Sequence, residues 1–91
     1  MTEAERFQIP PKVHARRFDD EIVLLHLGVG TYFSLDSVGA TIWEQLTSGK
    51  TPDETVAVLL AQYDVKAPAA RADVQRLAEA LLAAGLLEPC R

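Results

Sequence analysis

From residue 12 onward the hydrophobic positions repeat first at every second residue and then at every third or fourth, and the change falls at Asp36. Lys12 to Phe18 alternates loosely, Asp19-Asp20 supplies a turn, and Glu21-Ile22-Val23-Leu24-Leu25-His26-Leu27 is apolar on both alternating sets. A run of that second kind fits a central strand covered on each side. Gly28-Val29-Gly30 gives a second turn, because glycine takes positive φ without steric cost. Thr31 to Leu35 then sets Thr31, Phe33 and Leu35 on one side and Tyr32 and Ser34 on the other. The pattern predicts a three-stranded antiparallel meander. Residues 1–11 carry no period, contain Pro10-Pro11, and read as a flexible N-terminal arm whose Phe7 and Ile9 can dock on the surface.

Beyond Asp36 the period becomes helical. Asp36 or Ser37 can cap a helix over about 37–48, with Val38, Ile42, Trp43 and Leu46 on one face and Gly49 at its C-terminal end. Thr51-Pro52-Asp53-Glu54 is a strong start signal: Thr51 caps, Pro52 takes the first helical position, and Glu54 completes a capping box. Val56, Leu59, Leu60 and Tyr63 form the stripe of that second helix. Pro68 interrupts the chain. Val74, Leu77, Ala78, Leu81 and Leu82 then predict a third helix over about 69–84, ended by Gly85, with Leu86-Leu87 folding back onto the core. The order is β-β-β-α-α-α, which makes an α+β domain of a three-stranded sheet followed by three helices.

Composition narrows the function classes. With 91 residues there is one domain and one core, and 48% hydrophobic with 24% charged residues argues for a folded unit. A net charge of −4 makes nucleic acid a poor partner, since phosphate backbones are bound mainly by Lys and Arg. Local cationic groups remain at Lys12, Arg16 and Arg17 and at Arg71 and Arg76. Cys90 is the only cysteine, so no intramolecular disulfide forms. Without a signal-like apolar run after the acidic N-terminus, and with no long apolar segment, the expected location is cytoplasmic, away from membranes.

No catalytic constellation emerges, and no cofactor is expected. His14, His26 and Cys90 are three potential zinc ligands, but neither histidine has a close-spaced second ligand, and ordinary strand roles explain both. Gly28-Val29-Gly30 lacks the third glycine and following helix of a dinucleotide site. Asp19-Asp20 and Asp53-Glu54 sit where turns and helix starts use carboxylates.

The more informative feature is an edge. The third strand of the meander leaves backbone N–H and C=O groups unpaired, a template on which a peptide can add. If the third helix lies near that strand, a groove forms between them, floored by Val74, Leu77, Ala78 and Leu81, with Ala78 and Ala70 leaving room for a ligand side chain. Each leucine can equally be core. Arg71 and Arg76 are five positions apart, about 140° around the helix, so at most one faces the groove centre, and both can instead pair with Asp73 and Glu79 on a solvated face. Trp43 reads as core.

Glu21-Ile22-Val23-Leu24-Leu25, followed by Gly30-Thr31-Tyr32-Phe33-Ser34-Leu35-Asp36-Ser37-Val38-Gly39-Ala40-Thr41-Ile42-Trp43, resembles the PqqD-like peptide chaperones, also called RiPP recognition elements. It looks most like the discrete members of lasso-peptide clusters, and the likeness extends to Leu81-Leu82-Ala83-Ala84-Gly85-Leu86-Leu87. The resemblance implies a winged-helix-like domain over residues 12–88, a non-catalytic module that binds the leader of a ribosomal precursor peptide and presents it to a leader protease and a cyclase. It further implies an added strand antiparallel to Thr31, Tyr32, Phe33, Ser34 and Leu35. Arg71, Val74, Leu77, Ala78 and Leu81 are then the helix-side contacts. His26 stands where relatives often carry an acidic residue. Two other readings use the same elements: a winged-helix DNA-binding regulator, which wants a basic recognition helix that neither candidate helix supplies, and a scaffold-only interaction subunit. The open edge also allows a monomer or a weak edge-strand homodimer.

Overall fold

In a computed structural model that describes residues 5–90, the elements are β1 (Phe7–Gln8), β2 (Val13–Phe18), β3 (Glu21–His26), β4 (Tyr32–Leu35), α1 (Ser37–Thr47), α2 (Pro52–Gln62), α3 (Ala67–Ala83) and β5 (Glu88–Pro89). The expected meander is the sheet β2-β3-β4, antiparallel throughout, and the predicted third strand is β4. Asp19 makes the first turn at φ 54°, a conformation that aspartate tolerates better than most residues. Phe18 is thereby brought opposite Glu21. At the second turn, Gly30 at φ 76° donates its N–H to the His26 carbonyl at 2.8 Å.

One face of the sheet carries the core. Ile22, Leu24 and Leu35 point toward the helices and meet Ile42, Trp43 and Leu46 of α1, all buried. The other face is open: Leu25 is 38% exposed and Val23 half-buried, so the expected cover on both sides of the central strand is present on one side only. Among the described residues there are three helices: α1 covers the inner face, and α2 packs against both α1 and α3.

Helix starts follow local chemistry closely. Asp36 accepts from the Gly39 N–H at 2.8 Å, and Thr51 with Glu54 forms the reciprocal capping box. Gly49 at φ 90° and Gly85 at φ 74° follow the ends of α1 and α3. Pro68 does not interrupt the third helix but sits in its first turn, where its missing N–H has no intrahelical partner to lose, so α3 begins at Ala67. Leu60, expected on the apolar stripe of α2, is 42% exposed, while Val56 and Leu59 are buried.

The N-terminal arm is the larger correction. Residues 1–4 lie outside the described residues, but Phe7 is 1% exposed and pairs with Pro89 across a small second sheet, β1-β5. The Cys90 N–H donates to the Arg6 carbonyl at 2.9 Å, and Gln8 Nε2 donates to Glu88 Oε2 at 2.8 Å. Burying one phenylalanine side chain stabilises by about 1.5–3 kcal/mol, enough to draw an aperiodic segment onto the core. Leu86 and Leu87, buried as expected, bring β5 into position to receive it.

Candidate functional site

The sheet has two edges, β2 and β4, and hydrogen-bond parity states what each offers. His26 N–H donates to the Thr31 carbonyl at 2.9 Å, and Leu27 N–H donates to the Lys12 carbonyl at 2.9 Å. Backbone groups alternate in direction along an antiparallel strand, so Phe33 and Leu35 bond inward to β3 while Tyr32 and Ser34 turn theirs outward. Of the five residues expected on the edge, these two carry its free donors and acceptors. Their side chains stand on the open face of the sheet, Tyr32 at 69% exposure, while Phe33 and Leu35 point toward the helices.

No loop separates β4 from α1. Asp36 ends the strand and caps the helix in one residue, its own carbonyl accepting from Ala40 N–H at 2.7 Å. A Cβ at Gly39 would lie 3.3 Å from Asp36 Oδ1 and 3.4 Å from Leu35 Cβ, so glycine lets this corner close tightly. Tyr63, just after α2, places its hydroxyl 3.0 Å from Thr41 Oγ1 and donates to the Ser37 carbonyl at 3.3 Å, tying down the first turn of α1.

Beside the corner lies an open groove of about 560 Å³. Ser34, Leu35, Asp36, Val38, Gly39 and Ile42 form one wall, and Asp73, Arg76, Leu77 and Ala80 of α3 form the other. The groove is therefore where the strand edge predicts it, but its helix wall differs from expectation. Leu77 is there and half-buried. Val74, Ala78 and Leu81 are instead core, at 1%, 0% and 0% exposure, and Ala70 joins them. Positions 70, 74, 78 and 81 make one stripe along α3 and positions 73, 76, 77 and 80 the next. The alanine-bearing stripe turns inward because small side chains let α3 approach α2 closely, the helix it packs against.

The arginines resolve in the same way. Arg71 bonds Asp53 of α2 at 2.6 Å and does not line the groove. Arg76 does line it, paired with Asp73 one turn away. Sequence reasoning left Arg71 and Arg76 as alternatives and missed Asp36, Val38, Gly39, Ile42, Asp73 and Ala80 as lining residues. The spacing of 73, 76, 77 and 80 is a legible helical stripe, but its charges made it look like solvated surface.

Among the described residues no three of His, Cys, Asp and Glu come together. The two histidines do not face each other: His14 lies opposite Leu25 and His26 opposite Val13, so their side chains leave opposite faces of the sheet. His26 Nδ1 accepts from the Gly28 N–H at 3.0 Å, a turn contact. Glu54 is held below its usual range, chiefly by the hydrogen bond from the Thr51 backbone N–H, and it belongs to the helix cap rather than the groove. Among the described residues no helix is long and apolar enough to cross a membrane.

Comparison with known proteins gives three results. The model of the family described as coenzyme PQQ synthesis protein D (PqqD) matches residues 21–87. The structure described as TbiB1 in complex with the TbiA(beta) leader peptide is similar at a TM-score of 0.83 and 44% identity, over 89% of this chain and 94% of that one. Lasso peptide synthetase B1 complexed with the leader peptide is similar at 0.84 and 27% identity, over 92% and 99%. No curated protein sequence matches the chain.

Proposed function

The chain belongs to the PqqD family, and from that premise we propose that it is a non-catalytic, cytoplasmic module that binds the leader of a ribosomal precursor peptide and presents it to modifying enzymes. The observation that carries the reading is the uncharged β4 edge opening directly onto the groove against α3. Two structural relatives, 44% and 27% identical, are complexes with leader peptides, one of them described as lasso peptide synthetase B1, which supports a lasso-type precursor. The enzymes served are then a leader protease and a cyclase.

Parity sets the register of the added strand. Its backbone pairs with Tyr32 and Ser34, and its residues opposite Phe33 and Leu35 turn their side chains toward Leu77 and Ala80. Main-chain bonds supply affinity and the groove supplies selection. Peptide and a second copy of the chain compete for the same edge, so the bound form is a monomer. The DNA-binding alternative draws no support from α3, whose Arg71 and Arg76 are matched by Asp53 and Asp73.

The test is a titration of the chain with synthetic cognate leader followed by NMR. The amides of Tyr32 and Ser34 shift and become protected from exchange, with micromolar or tighter affinity. Shifts confined to Ala15 and Arg17, on the other edge, would refute strand addition at β4.

A further inference from the structure

The outer face of the sheet is used by neither the core nor the groove. Continuing the alternation of β2 and β3 through the Leu27–Lys12 bond places Lys12, His14 and Arg16 in one exposed column and Leu27, Leu25 and Val23 in the next, with Phe18 and Glu21 closing the two columns at the first turn. Tyr32 of β4 follows as the third column. Leu25, Leu27 and Tyr32 are all large apolar side chains left in solvent, side by side on one surface. A cluster of this kind, rimmed by polar groups, marks an interaction surface more often than isolated exposed residues do.

Its charge is as distinctive as its apolarity. Arg6, Arg17, Arg71 and Arg76 are each matched to a carboxylate of this chain. Arg16 has no ion pair within the described residues, and it stands on this face of a protein whose net charge is −4. Three strands spaced about 4.8 Å apart make a strip about 10 Å wide, the diameter of one helix. An apolar column beside a cationic one is complementary to an amphipathic helix whose flank is acidic.

We propose that this outer face docks a partner protein through an acidic amphipathic helix, and that the partner is the enzyme receiving the bound peptide. The inference rests on the leader-binding reading, because Tyr32 belongs to both surfaces: its side chain stands on the outer face while its backbone forms the edge. A partner seated on the face lies against the added strand, whose outward side chains extend the same surface. Nucleic acid does not suit a face whose central column is leucine and valine.

The experiment uses two charge-changing variants away from the edge, R16E and L25E, with the purified leader protease of the same gene cluster as probe. Binding is measured by fluorescence anisotropy with and without leader, and leader affinity is measured separately. Both variants weaken protease binding at least tenfold while leader affinity stays within twofold and circular dichroism is unchanged. Raising salt from 50 to 500 mM weakens wild-type binding and leaves the residual binding of R16E nearly flat. Equal protease binding by wild type and both variants overturns the proposal, as does a wild-type chain that binds leader but no protease. Binding of the face to anionic vesicles or duplex DNA in place of the protease overturns it too. A wild-type chain that binds protease but no leader leaves the docking face standing and defeats the leader-binding reading instead.

Discussion

The two edges of one small sheet are built to opposite specifications. β2 has six residues, with His14, Arg16 and Arg17 in it and Lys12 just before it. β4 has four residues and no charge from Gly30 to Leu35. Charged side chains along an edge discourage pairing with a foreign strand, whereas a short neutral edge invites it. The neighbourhoods differ as well: the side chains of β2 are exposed after Val13, while β4 turns at Asp36 straight into α1 and faces a groove walled by α3. Backbone alone would let either edge take a peptide. Side-chain charge and the groove are what set the two apart.

Proline tests that asymmetry most severely. On β4 the outward amide of Ser34 is available for substitution without breaking the β3 ladder, and on β2 the equivalent outward amide is that of Ala15. Ser34→Pro removes one hydrogen bond and leaves a ligand carbonyl unpaired, a loss of about 2 kcal/mol or roughly 30-fold in leader affinity. Ala15→Pro leaves affinity within about twofold if the guarded edge stays unused. Calorimetric titration of both variants decides it, and equal losses would erase the distinction between the edges.

The next contrast lies along α3. Ala80→Trp fills the groove and weakens leader binding about tenfold, a loss of one apolar anchor, with little change in melting temperature. Ala78→Trp, two residues earlier, overpacks the fully buried stripe and lowers stability by about 1–3 kcal/mol or more. Thermal melts paired with binding curves separate the two outcomes. If Ala80→Trp melted early and Ala78→Trp did not, the assignment of the stripes would be reversed.

A smaller effect tests whether the β4 corner is held from behind. Tyr63→Phe removes the contacts to Thr41 and Ser37, costs about 1 kcal/mol of stability, and loosens the first turn of α1. Leader affinity falls by roughly threefold through a faster off-rate, as read by stopped-flow, and an unchanged off-rate would mean the corner is rigid without the hydroxyl.

The smallest effect should leave the edges alike. The Glu54 carboxyl is depressed, first by the Thr51 backbone N–H, so its charged form stabilises the fold at neutral pH and that contribution disappears as pH falls through its lowered folded value. Glu54→Gln lacks it at every pH. Melting temperatures of wild type and variant therefore differ near neutrality and converge in acid, while leader affinity at pH 7 is equal. A gap that widened in acid would reverse the sign of this linkage.

Much of the molecule was legible in local pattern. Thr51, Pro52 and Glu54 act as their order predicts, Asp36 caps the helix it precedes, and the alternation expected from Thr31 holds from Tyr32 to Leu35. Such features depend on neighbours within four positions, so the sequence carries them whole. That Phe7 can dock was legible, but its full burial and its pairing with β5 were not, because a lone aromatic in an aperiodic segment is placed only when β5 and the helices supply a site to bury it.

The groove shows where that boundary falls. The sequence by itself determined that a neutral strand runs directly into a capped helix, and that a third helix with alanine and leucine at helical spacing follows. It did not determine which of two adjacent stripes of that helix faces inward, since 74, 78 and 81 and 73, 76, 77 and 80 are both regular. Packing against α2 decided it, because burial favours the stripe that closes the gap between helices with the least void and no unpaired charge. The same packing turned Arg76 rather than Arg71 toward the groove. Local chemistry wrote the elements, and only their mutual contact chose the faces.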